Sequence, residues 1–279
     1  MRISKFPLLV ALSALGVVGC STDDGSLTAS STPPLAFVRY VNALPDTMNT
    51  TVRWVDYLEF TPQTFVNVAF RAFGQGMYQG LKPGSRHFKI FNADIVNYST
   101  AGNTAVLADV TQSFEANKYY TILFTGYARG GGAKIVVFED VIPAPGANVM
   151  LRVLNANTGL GAVDVYKLAA AGDPVAGAPT IAAVAEQKFS SYTTFAPGAF
   201  ALRATNAANP TGLGTSGTAA PTGTAGTTAA DPIGGATVAG TVITAMVFPA
   251  SVTGSTAAVS ATPSITYIVD KQPPRTTTP

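Results

Sequence analysis

VRYVNA, residues 38–43, returns as LRVLNA at residues 151–156. Each stretch sets one arginine among apolar neighbours and closes on Asn-Ala. The echo continues downstream. Tyr78 with LKPG (81–84) returns as Tyr192 with FAPG (195–198), and FKIFNA (88–93) returns as LRATNA (202–207). These matches keep their order at an offset of 113 or 114 residues. Near the ends, FED (138–140) with Pro143 is echoed by IVD (268–270) with Pro273, at a larger offset that an insertion in the second copy explains. Ordered matches at a nearly constant offset mark a duplication. The expectation is two copies of one domain, residues 35–145 and 146–270, joined near IPAPGA (142–147), where prolines make a short stiff linker.

The local pattern is that of an all-β chain. Short β-branched and aromatic runs recur between Gly, Pro, Asn and Asp clusters. FVRYV (37–41) is one run. YYTILF (119–124) is another, entered from a turn at Asn117-Lys118. KIVVF (134–138) is continuously apolar, as in a strand buried on both faces. The alanine-rich piece 181–186 is the best helix candidate, and it is short. Pro83-Gly84 and Pro197-Gly198 suit tight turns. Asn42 and Asn155 end a strand, where an Asn side chain can bond local backbone. Arg39 and Arg152 are expected along a sheet face with their heads paired or solvated. The insertion, about residues 208–236, holds one charge, Asp231, and no aromatic. It reads as a solvated low-complexity loop. Residues 271–279 read as a disordered tail.

The N-terminus carries a different message. Arg2 and Lys5 precede an uncharged apolar stretch at 6–18, too short for a membrane span of about 20 residues. A positive start, a short apolar centre and small residues at its end make a secretory signal peptide, residues 1–19. The stretch ends in VVGC (17–20), which resembles the lipobox of bacterial lipoproteins, with Val17 where Leu is commonest. The resemblance implies a diacylglyceryl thioether on Cys20, cleavage before it and acylation of the new amine. Cys20 is the chain's only cysteine, so lipidation would also remove a free thiol from an exported protein. Two or more acyl chains anchor stably. Residues 20–34 then form the lipidated cysteine and a flexible tether. Ser21 after the cysteine points to outer-membrane sorting in a Gram-negative cell.

Composition narrows the function. The chain has 17 basic and 15 acidic residues. Removal of Arg2 and Lys5 with the signal peptide leaves the two signs equal, so no nucleic-acid footprint of clustered cations is expected. Charged residues make up 11% of the chain, far below the roughly 25% usual in soluble domains. One histidine, His87, is present. A Ser-His-Asp arrangement would have to use it, yet its counterpart in the second copy is Ala201, and it reads as a surface histidine. A zinc site needs several Cys or His ligands, which are lacking. Asp46, Asp56 and Glu59, or Glu139 and Asp140, could offer calcium oxygens, but at no motif spacing. GYARGGGAK (126–134) fails the phosphate-loop spacing and reads as a hairpin loop. Trp54, Tyr57, Phe73 and Tyr78 could stack on a sugar, although core packing is the ordinary use of such rings. No cofactor is expected.

The repeat resembles the bacterial domain of unknown function 4397. That pattern opens on an Arg-containing strand, followed by Asn or His, Ala, Ser, Pro-Asp and soon Val-Asp-Val-Tyr. An aromatic with Pro-Gly and a Tyr-Thr strand come later. The first copy keeps VRYVNALPD (38–46), has VRW (52–54) for the second motif and keeps Tyr120-Thr121. The second copy lacks Pro-Asp but keeps AVDVY (162–166). The resemblance implies two tandem immunoglobulin-like β-sandwiches in an exported protein, and no activity. The function expected first is a membrane-anchored envelope lipoprotein that displays two modules for a protein or glycan partner, or for architecture, without catalysis. A glycan hydrolase would instead need two carboxylates facing a cleft about 5–10 Å apart. A subunit of an envelope assembly would show a broad exposed apolar patch.

Overall fold

The computed structural model describes residues 33–47, 49–56, 65–74, 78–93, 105–209, 214–255, 257 and 260–275. Cys20, Tyr57 and Glu59, with most of the tether, lie outside the described residues. Every regular element among the described residues is a strand. No helix there is long and apolar enough to cross a membrane.

The first nine strands are β1 (Ala36–Asn42), β2 (Thr50–Trp54), β3 (Phe65–Val68), β4 (Ala72–Phe73), β5 (Gln79–Leu81), β6 (Gly84–Asn92), β7 (Val106–Phe114), β8 (Tyr119–Thr125) and β9 (Lys134–Asp140). They make two sheets. One runs β4-β1-β8-β9, with β5 on the same edge of β1 as β4, and the other runs β3-β2-β6-β7. The next nine are β10 (Val149–Asn155), β11 (Val163–Leu168), β12 (Ile181–Val184), β13 (Lys188–Phe189), β14 (Thr193–Phe195), β15 (Ala201–Asn206), β16 (Thr218–Ala219), β17 (Val242–Phe248) and β18 (Ser264–Lys271). Their sheets run β13-β10-β17-β18, with β14 on β10, and β12-β11-β15-β16. Each strand thus recurs nine strands later with the same neighbours, including the parallel pairs β1–β8 and β10–β17.

Period-two alternation explains the layering. On β1 and β8, Val38, Tyr40, Tyr120, Ile122 and Phe124 face the β2–β6 sheet and form a core with Val52, Trp54, Phe65, Phe88 and Phe114. The opposite face carries Val41 and Leu123. These meet Leu154, Met246, Phe248 and Ile268 from the β10–β17 sheet in a second buried cluster. The β10–β17 sheet uses its other face, with Leu151, Val153, Ile243 and Ala245, for a third core against β11 and β15. The two sheets that contain the arginines therefore lie inside, each buried on both faces. β9 follows suit: Ile135 and Val137 pack on the first core, while Val136 and Phe138 pack on the junction. The linker does not hold two separate modules apart, because an apolar layer joins them.

Three local expectations are corrected. Residues 181–186 are not helical: Ile181–Val184 is a strand paired with β11 across a register shift. Ala183 there takes a left-handed φ of 49°, as Asn67 does at the matching place on β3 with φ 54°. Alanine content favours a helix only where no neighbouring strand competes, and here pairing with β11 wins. The insertion is also more than solvated loop. It supplies β16, and Ala220 and Ala236 enter the third core. Ala236 and Thr237 donate backbone N–H groups to the carbonyls of Pro221 and Thr222. Small residues suffice because the Thr215 and Ala220 N–H groups bond the carbonyls of Ala204 and Phe200, which seats Ala220 and Ala236 in the core without large side chains. Nor is 271–275 a loose tail: Gln272 accepts the Gly234 N–H, and Arg275 pairs with Asp231.

The glycine-rich hairpin between β8 and β9 is as its composition suggests. Gly126 has φ +93°, and a Cβ there would meet the Gly132 carbonyl oxygen at 2.2 Å, so only glycine fits. Asn42 and Asn155, both fully buried, do bond local backbone. Asn42 Oδ1 accepts the Leu44 N–H, and Asn155 Oδ1 accepts that of Asn157.

Candidate functional site

Among the described residues, four buried charged side chains, Arg39, Asp140, Arg152 and Asp270, gather between the two inner sheets. Arg39 on β1 stands beside Thr121 on parallel β8, and Arg152 on β10 stands beside Thr244 on β17. That register lets each Nε donate to the neighbouring hydroxyl, at 2.7 Å from Arg39 to Thr121 and 2.9 Å from Arg152 to Thr244. Each threonine passes its own proton on: Thr121 donates to Asp140 Oδ2 and Thr244 to Asp270 Oδ2, both at 2.5 Å. Asp140 ends β9 and Asp270 lies near the end of β18, where a register shift makes it the extra residue.

The arginine tips then cross between the halves. Arg39 Nη1 donates to Asp270 Oδ1 at 2.5 Å, and Arg152 Nη2 donates to Asp140 Oδ1 at 2.6 Å. The second carboxylates stay close without being bonded: Arg39 Nη2 is 3.8 Å from Asp140, and Arg152 Nη2 is 3.5 Å from Asp270. Tyr78 closes one end by donating to Asp140 Oδ2 at 2.9 Å, and Tyr192 closes the other by donating to Asp270 Oδ2 at 3.3 Å. The Arg39 guanidinium lies over the Tyr78 ring, and that of Arg152 lies over Phe189 at 3.8 Å and Tyr192 at 5.0 Å. Apart from the Arg152–Phe189 contact, each interaction of one half has a counterpart in the other with the roles exchanged.

All four ionised side chains are at most 5% exposed. Taking a charge out of water is costly unless it is paired and hydrogen-bonded. Here two cations meet two anions, and each carboxylate accepts three hydrogen bonds. Burial works against the charged form of Arg39, yet Asp270, the Tyr78 oxygen and Asp140 outweigh it and hold its pKa above the usual value. Burial pushes the phenols of Tyr78 and Tyr192 up as well, with the two aspartates adding to the effect. Tyr40, buried in the first core, and Tyr267, half-buried against the third, are pushed up by burial too. A group with a raised folded pKa stabilises the fold fully below its unfolded value, near 10 for tyrosine, and that stability is lost as pH rises. Alkaline titration is therefore expected to show phenolate absorbance from these tyrosines only together with unfolding, in one step above about pH 10. Smooth titration of all phenols with the fold intact would contradict the burial of Tyr78 and Tyr192.

The other residues singled out from sequence are scattered. His87 sits on the exposed face of β6, its Nε2 2.5 Å from Asp109, which also meets Lys89 at 3.0 Å. His87 and Lys89 hold the Asp109 carboxyl below its ordinary range. Asp46 accepts the backbone N–H groups of Ala128 and Arg129 and so pins the glycine-rich hairpin. Asp56 pairs with Arg86, and Glu139 with Lys118. Among the described residues no group of three metal-ligating side chains forms. Trp54 is core, packed against Phe88 and Phe114. Phe73 packs at the junction of the inner sheets. Among the described residues, Asp140 and Asp270 are brought together in the interior by the two arginines, and Glu115 and Glu139 meet on the surface at Lys118.

Residues 36–166 match the domain of unknown function DUF4397. The DUF4397 span runs from the first residue of β1 into β11, so it holds Arg39, Thr121, Asp140 and Arg152 but neither Thr244 nor Asp270. No curated protein matches the chain. Six of the eight members of the network, the arginines, aspartates and tyrosines, stand at repeat-matched positions. Their common destination was not legible, because nothing in a local pattern says that two arginine-bearing faces meet. Thr244 carried no signal, since the Tyr120-Thr121 pair has no Tyr-Thr match there.

Proposed function

We propose that this chain is a lipid-anchored lipoprotein of the cell envelope, held by Cys20, probed by no substrate and working as a rigid binding or architectural body for a protein or glycan partner. Within this reading the two sheet pairs are tandem immunoglobulin-like sandwiches, the second continuing the DUF4397 repeat beyond residue 166. The observation that carries the reading is the crossed Arg-Asp network. Among the described residues, these four buried charges gather where they weld the two halves, and each carboxylate already accepts three hydrogen bonds within the chain. Recurrence of the strand order after nine strands supports the tandem part. The signal-like start, VVGC and the polar stretch after it support the anchor.

A Cys20→Ala variant tests the anchor. Wild-type chain is expected in the membrane fraction with incorporated palmitate, and the variant is expected to lose the label and the anchor. A variant that is processed normally and stays membrane-bound would overturn it. Protease treatment of intact cells then separates the two uses: digestion favours adhesion or partner binding at the surface, and protection favours a role inside the envelope.

A further inference from the structure

The two halves differ most at one edge. In the second half the last strand of the outer sheet, β16, is two residues long. The carbonyls just beyond it are taken by Ala236 and Thr237, and Tyr267 donates to the Thr218 carbonyl. The edge is consumed within the chain. In the first half the equivalent strand, β7, is nine residues long and, among the described residues, pairs only with β6.

An open strand edge presents a row of backbone donors and acceptors, and proteins guard it with lysine, proline, bulges or a covering segment. β7 has little of this. A bulge falls at Leu107, since Ile90 pairs with Ala108 while Phe91 pairs with Val106. From Ala108 to Phe114 the pairing is regular, with no lysine or proline. The single charge, Asp109, is drawn back toward β6 by Lys89 and His87. Asp109, Thr111 and Ser113 alternate along the exposed face. What completes such an edge is another extended backbone.

We propose that the free edge of β7 is an association surface for a second copy of this chain, the two β7 strands pairing antiparallel about Thr111. The sequence of the strand selects the occupant and the register. Thr111 is the middle residue of the regular segment 108–114, so a two-fold axis there uses all of it. Thr111 then faces its own copy, a favourable cross-strand pair. Asp109 falls opposite Ser113 of the second copy, which keeps the like charges apart. Centring the pair on Asp109 would oppose two carboxylates, and centring it further along would shorten the overlap.

Sedimentation velocity of the full chain in detergent, over a wide concentration range, is the first test. The wild type is expected to dimerise. Thr111→Lys places like charges across the axis and is expected to raise the dimer dissociation constant at least about tenfold, with an unchanged thermal melt at dilutions where both proteins are monomeric, because Thr111 is exposed in the single chain. In a Cys20→Ser background, Thr111→Cys is expected to form a disulfide-linked dimer, while Ser191→Cys, an equally exposed site in the second half, does not. A chain that stays monomeric at every concentration overturns the proposal, even if it then binds an added strand-forming peptide. A dimer that survives Thr111→Lys, or equal crosslinking at both cysteines, overturns it as well. None of these outcomes depends on whether Cys20 carries lipid.

Discussion

Asp270→Ala is expected to lower unfolding free energy by about 3–5 kcal/mol. Removing one member of a buried pair strands the other. Arg39 is 0% exposed, and without Asp270 its Nη1 has no hydrogen-bond acceptor in its place, while Thr244 and Tyr192 lose theirs. The loss should be accompanied by a change in cooperativity. The wild type is expected to unfold in one transition, because the buried junction couples the halves, whereas the variant should separate into two in a calorimetric scan. Asp140→Ala should behave the same way, with Arg152 as the stranded cation. Replacing both partners, Arg39→Met with Asp270→Leu, should recover much of the loss, since apolar groups of similar volume often substitute for a buried ion pair with little cost. Denaturant titration checks all three. A loss under about 1 kcal/mol for Asp270→Ala would mean that water reaches Arg39 and that the network is not closed.

Trp54→Ala is expected to cost a similar amount, about 3–5 kcal/mol, by a different route. Trp54 is 1% exposed and packs against Phe88 at 5.0 Å and edge-on to Phe114 at 5.9 Å. Phe114 in turn meets Tyr120 edge-on. Truncation would open a cavity in a core whose neighbours are rigid rings, and rings collapse into a void poorly. The third core, that of the second half, holds valine, leucine, alanine and isoleucine at most of its positions, with Phe200 its largest buried ring. The first half is therefore expected to unfold first in Trp54→Ala. If the second half melted first, the junction would be passing the damage across.

How much of this was legible follows from the range over which each signal acts. Strands β1, β8 and β9 were readable because β-branched and aromatic runs declare themselves locally, and the turns at Asn117, Pro83-Gly84 and Gly126 were readable because φ preferences are local too. The ordered residue matches were readable in the sequence, and the strand order recurs after nine strands alongside them. What failed did so where partners distant in the chain decide. Ile181–Val184 is alanine-rich in isolation and a strand only because β11 lies beside it. Residues 214–236 look solvated by composition, and the carbonyls of β15 and its flanks hold them. Arg39 was expected along a sheet face with its head paired or solvated. It is paired, but with a residue 231 positions away, and no one-dimensional pattern reaches so far.

The crossing of the ion pairs also decides which changes the protein can accept over time. A reversal of charge at position 39 finds its compensation at position 270, in the other repeat, and a reversal at 152 finds it at 140. The two halves are thus not interchangeable cassettes. A recombination event at the linker that replaced one repeat with a more distant copy would have to bring a matching aspartate and arginine with it, or leave two charges without partners. Duplication of this kind makes lineages in which the halves drift together, each keeping the record of the other.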